Sequence, residues 1–137
     1  MNRADFQQLA DVRIEEAGIL LTNGKPDGAY YLAGYAVECA LKACIAKLTN
    51  LHDFPDKQFA QRCFTHNIEE LIGASDLRGQ RDADVAVDAD LKDNWLIVKD
   101  WTESSRYLRK TQSEAQALFD AVADPSHGVL SWIKQRW

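Results

Sequence analysis

The chain is expected to fold as an all-α protein, an antiparallel up-down bundle of four to five helices. Three observations predict this. Apolar residues recur at helical spacing from the start of the chain: Phe6, Ala10, Ile14, Ala17 and Leu21, with Leu9 and Leu20 widening the stripe. A long apolar run at positions 29–48 shows none of the period-two alternation of a half-buried strand. Helix-starting signals such as Asn67 before Glu70 and Thr111 before Glu114 punctuate the second half.

The first helix is read over Arg3 to Thr22 and stops at Asn23-Gly24. Lys25-Pro26-Asp27-Gly28 is a turn in which Asp27 can cap the next helix. So short a link makes helices one and two an antiparallel hairpin. The second helix runs from about Gly28 to Thr49, and its small residues Ala33, Gly34, Ala36, Ala40 and Ala43 allow close approach of a neighbouring backbone. Asn50 to Pro55 is a loop by composition. A short third helix opens at Asn67 and closes at Gly73-Ala74-Ser75. A long fourth helix is expected from Arg81 to Tyr107, with Leu91, Trp95, Val98, Thr102 and Ser105 as its inward seam. Thr111 starts a fifth helix, Asp124-Pro125 interrupts it, and a last helical piece reaches about Arg136.

With 137 residues the chain is expected to be one domain, spanning 1–137. Its net charge of −5 argues against a protein-wide basic surface for nucleic acid, leaving Arg106, Arg109 and Lys110 as the best local basic patch. Three cysteines, Cys39, Cys44 and Cys63, have neither disulfide-framework nor metal-ligand spacing. They fit a reducing, cytoplasmic location, and the N-terminus does not read as a signal peptide. The 29–48 run is long enough for a bilayer, but Glu38 and Lys42 at its centre argue against a membrane span.

Those two charges are the main local tension. As an i,i+4 pair they are either an exposed stripe on a buried helix, which spacing alone favours, or a polar pair facing a cleft or dimer interface. Arg106 falls eleven residues after Trp95, close to the same side of an unbroken helix. It can serve the helix C-terminus, paired with Glu103, or present a guanidinium to phosphate. Trp101 and Tyr107 can stack on a base or belong to core and interface. His66, in Thr65-His66-Asn67, is a capping or packing residue or an anion contact at a helix start. His52 and His127 have no partner recognisable in sequence. No glycine-rich nucleotide loop, metal-ligand cluster or nucleophile context is found, so neither a cofactor nor a metal is expected.

Taken together, the segments AYYLAGYAVECALKACIAK at 29–47, FPDK with THNIEELI at 54–72, and WTESSRY at 101–107 resemble the HEPN domain (higher eukaryotes and prokaryotes nucleotide-binding). The amphipathic first helix and the closing SWIKQRW extend the resemblance over most of the chain. It implies a four- to five-helix bundle, commonly a homodimer, often paired with a small nucleotidyltransferase in a toxin–antitoxin or defence module. Many members are metal-independent ribonucleases with an arginine followed, four to six residues on, by histidine. In those, histidine moves protons and arginine holds the phosphate attacked by the RNA 2′-hydroxyl.

Arg106 matches the arginine, but positions 111–113 hold Thr111, Gln112 and Ser113. A hydroxyl cannot carry protons near neutral pH as imidazole does. The expectation is therefore a protein that binds nucleotide, RNA or a partner nucleotidyltransferase through Arg106, Tyr107, Glu38 and Lys42, with catalysis in doubt. One alternative is a ribonuclease toxin whose weak catalytic candidates are Arg106 and His66. The other is a purely structural dimerisation module.

Overall fold

The computed structural model describes residues 1–49, 54 and 56–137. His52 and most of the expected 50–55 loop lie outside the described residues. The architecture is all-α, with no strand among the described residues. The helices are α1 (Arg3–Thr22), α2 (Pro26–Leu48), α3 (Lys57–Cys63), α4 (Ile68–Ala74), α5 (Arg78–Val87), α6 (Ala89–Val98), α7 (Gln112–Ala123) and α8 (Val129–Lys134), with a 3-10 turn at Glu103–Tyr107. None is long and apolar enough to cross a membrane.

Helix α1 begins at a capping box, in which the Asn2 side chain accepts from the Asp5 amide and the Asp5 side chain accepts from the Asn2 amide. Of its expected seam, Ala10, Ala17 and Leu21 are buried and Phe6 and Ile14 partly so. The chain reverses at Asn23–Lys25, where Gly24 takes a φ of +69° that an L side chain rarely adopts. Helix α2 then packs along α1 as an antiparallel hairpin. It starts earlier than expected because Pro26 suits the first helical turn, where no amide hydrogen is needed. Asp27 is thereby inside the helix, and its carboxylate accepts the Lys110 amide at 2.6 Å instead of capping.

Helix α2 is the axis of the core. From Ala33 to Ile45 only Tyr35 and Lys42 are not fully buried, and α1, α4, α7, α8 and the 3-10 turn all pack against it. Helix α4 is capped by Asn67, whose side chain accepts from the Glu70 amide, as expected. The Glu70 carboxylate turns to the Thr65 hydroxyl, so the reciprocal half of the box is not made.

The expected long fourth helix is divided. Asp88 takes an extended conformation and its side chain accepts from the Leu91 amide, ending α5 and starting α6. An aspartate at that position offers the backbone a better partner than helix continuation does. Leu91, Trp95 and Val98 are buried as expected, but α6 stops there and Trp101 turns inward to 2% exposure. Thr102 is consequently exposed, and Arg106 belongs to a separate 3-10 turn, not to the end of a long helix.

Trp101 lies against Gly34. A β-carbon at residue 34 would come within 2.2 Å of the indole Cδ1 and Nε1, closer than any non-bonded contact allows. Tyr31 stacks beside it, ring centroids 6.1 Å apart. Gly34→Ala sets two effects against each other: alanine favours a helix interior by about 1 kcal/mol, while overpacking costs typically about 1–3 kcal/mol or more. Packing is expected to win, giving a net loss of about 1–2 kcal/mol in urea unfolding with a shift in tryptophan emission. A more stable variant would contradict the contact.

Candidate functional site

The apolar run 29–48 keeps its two charges for different reasons. Glu38 is buried, with 2% of its surface exposed. Its Oε1 accepts from Lys42 Nζ at 2.8 Å and from His66 Nδ1 at 2.8 Å. The pair is therefore not an exposed stripe. Lys42 is one turn further along α2 and reaches back over the carboxylate, while His66 arrives from the segment leading into α4. Glu38 Oε2 has no partner among the described residues.

His66 continues the network outward. Its Nε2 faces Glu103 Oε2 at 3.1 Å, on the first turn of the 3-10 segment. The ring is clamped between two carboxylates, one buried and one partly exposed. Lys42, Glu38, His66 and Glu103 thus form a continuous polar path from α2 to the 101–107 segment.

Arg106 lies outside that path. No ion pair or hydrogen bond joins it to Glu103 or Glu38 among the described residues. Its guanidinium sits over the Tyr107 ring, 4.9 Å from the centroid. Polar contact with Tyr107 is the main influence raising its pKa above the usual arginine value, with Tyr31 and Glu103 adding to it. Arg106 and Tyr107 are both exposed. Tyr31 and Lys42 are eleven residues apart on α2, or about 16 Å of axial rise. The structure therefore groups Glu38, Lys42 and His66 at one end of this face and Arg106 and Tyr107 at the other, with Glu103 between them.

A cleft of about 250 Å³ opens beside His66, lined also by Lys99, Trp101, Thr102, Glu103 and Ser104. Sequence spacing did not connect these residues. Glu103 was legible only as a neighbour of Arg106, and Lys99 carried no signal because it was expected inside a continuous helix. The hint lay in Thr65-His66-Asn67 and Trp101-Thr102-Glu103, two polar segments flanking residues that the fold buries.

A second polar cluster is also a product of the fold. Asp88 Oδ2 pairs with His127 Nδ1 at 2.9 Å, Asp90 Oδ2 lies 3.8 Å from Nε2, and Asp124 accepts the His127 amide. Asp88, Asp90 and His127 offer ligand atoms within 4.8 Å of one another, the group best placed to hold a cation among the described residues. Both Asp88 oxygens already have work in the fold, one capping α6 and the other holding the imidazole. The cluster reads as a latch between the α5–α6 corner and the turn before α8. The cysteines are free, and burial pushes the Cys39 and Cys44 thiols up to about 11, which keeps them unreactive.

Comparison with family models, curated proteins and solved structures returns no match to this chain.

Two expectations follow from these clusters. Lys42→Met leaves a buried carboxylate with His66 alone and is expected to cost about 1–3 kcal/mol. The double variant Glu38→Met/Lys42→Met, which removes both charges, should be more stable than Lys42→Met in the same urea titration.

The latch depends on pH with a definite sign. The Asp88 hydrogen bond is the main influence raising the His127 pKa, so this contribution is complete below about pH 6.5 and is lost as pH rises through the folded value. Asp88 and Asp124 are lowered, chiefly by backbone amides, so theirs is complete above about pH 4 and is lost as pH falls. His127→Asn should therefore lower the melting temperature most near pH 5–6 and least near pH 9. Equal losses across that range would rule the latch out.

Proposed function

We propose that the chain is a HEPN-type domain that binds a phosphate-bearing ligand, a nucleotide or RNA, on the surface around Arg106. One observation supports this reading above the rest. The three segments that carry the resemblance, 29–47, 54–72 and 101–107, meet through side chains: Glu38 from the first, His66 from the second and Glu103 from the third. Segments far apart in sequence share a polar contact, and its outer member, Glu103, is on the same 3-10 turn as the exposed Arg106. A guanidinium backed by an aromatic ring and open to solvent suits phosphate, with Tyr107 beside it as a surface for a base.

Binding rather than cleavage follows from the residues at the helix cap. Thr111 accepts from the Glu114 amide and starts α7, and no imidazole occupies 111–113. A homodimer and a nucleotidyltransferase partner belong to the same reading, through the resemblance alone.

The second reading is a metal-independent ribonuclease in which His66 replaces the missing histidine. Its support is the Glu38–His66 pair, since a buried carboxylate on Nδ1 orients an imidazole for proton transfer at Nε2.

Fluorescence anisotropy with labelled oligoribonucleotide and with a labelled adenine nucleotide tests the first reading. Arg106→Ala should weaken binding by roughly tenfold or more, the worth of one charge-assisted contact. Wild type that binds neither ligand at low salt would overturn the proposal. Metal-independent cleavage abolished by His66→Ala would replace it with the second reading.

A further inference from the structure

The cleft beside His66 has chemistry that the Arg106 surface does not absorb. We propose that this cleft binds a phosphoryl group, and that the Glu103 carboxylate is the internal group the phosphoryl displaces. The inference rests on the phosphate-binding reading above and adds to it a pocket, its donors and a competitor.

The argument starts from the unequal clamps on His66. Glu38 cannot leave the ring: it is buried in the middle of α2 and is held by Lys42 as well. Glu103 can leave. Its side chain is 39% exposed, it sits on a single 3-10 turn, and His66 is its one ion-pair partner among the described residues. The outer edge of the ring, Nε2, lies 3.1 Å from an anionic oxygen of Glu103. A phosphate oxygen is the same kind of acceptor at the same distance.

The rest of the lining favours phosphate over the carboxylate now in place. Lys99 is exposed at the end of α6 and has no carboxylate partner among the described residues. The hydroxyls of Thr102 and Ser104 are without side-chain hydrogen bonds among the described residues. Trp101, 2% exposed with its indole Nε1 turned onto Gly34, forms the apolar wall of the same cleft. Glu103 brings one charge and two oxygens to this set. A phosphomonoester brings close to two charges and three free oxygens. At about 250 Å³ the cleft is smaller than the roughly 300–1,000 Å³ of whole-ligand pockets. It therefore takes the phosphoryl head, and the remainder of the ligand lies outside on the surface.

The test is a titration of the full chain with inorganic phosphate, read from the His66 ring resonances by NMR and from calorimetry. Glu103→Gln keeps the size of the side chain and removes the competing charge, so phosphate affinity should rise by roughly tenfold. Lys99→Ala should lower it by a similar factor, with an unchanged melting temperature showing that the variant is folded. Adenosine 5′-monophosphate and a 5′-phosphorylated oligoribonucleotide, each run against its 5′-hydroxyl counterpart, then identify the source. A phosphate-dependent shift at His66 with either supports the assignment. Unchanged or weaker phosphate binding by Glu103→Gln overturns it. If Arg106-dependent RNA binding persists in that case, only this inference falls. If RNA binding is absent too, the reading beneath it falls with it.

Discussion

Trp101 lies on α2 because residue 34 has no β-carbon, and much of the polar architecture depends on that contact. Helix α6 ends at Val98, the chain turns the indole inward, and the 3-10 turn that follows is laid against the same face of α2. Had the helix run on to Tyr107, Glu103 would have been carried along the axis of α6 and away from His66. Burial of one large aromatic side chain, worth about 2–3 kcal/mol, outweighs the few residues of regular helix given up for it.

The α2 face that receives Trp101 is graded along its length. Tyr31 and Tyr35 stack in parallel, centroids 6.0 Å apart, at the end nearer Arg106, and Glu38 and Lys42 follow one and two turns beyond Gly34. An isolated buried carboxylate would be costly. Two donors reduce that cost here, and they come from different places: Lys42 is local, His66 is twenty-eight residues away. Only the second ties α2 to another segment. The buried charge therefore does more than decorate the helix, since it specifies where the 65–67 segment must dock and which nitrogen of His66 faces outward.

Much of the fold was legible in the chain. The Arg3–Thr22 stripe, the Gly24 turn, the Asn67 and Thr111 caps and the Asp124-Pro125 break all act within a few residues, through periodicity, φ restriction or a side chain bonding its own backbone. The division of the expected 81–107 helix was harder to read. Asp88 is a helix cap only if the chain turns there, and nothing in its spacing from Leu91 distinguishes a cap from a tolerated interior aspartate. The break after Val98 has no local signal, because the indole of Trp101 packs where Gly34, on another helix, lacks a β-carbon. Helix α3, within 57–63, was likewise missed, and its residues are at most partly buried, so no strong apolar stripe marks it.

The sequence by itself determined an all-α chain, the hairpin of α1 and α2, and the presence of two charges in the most apolar helix, since helical period and capping are local properties. Tertiary structure decided what those charges do. Whether Glu38 meets water, Arg106 or His66 depends on which segments pack over α2, and the spacing of the charges along the chain does not state that. The same packing left Arg106 exposed beside Tyr107 and set Glu103 against the outer nitrogen of His66, an arrangement that no stretch of the chain encodes alone.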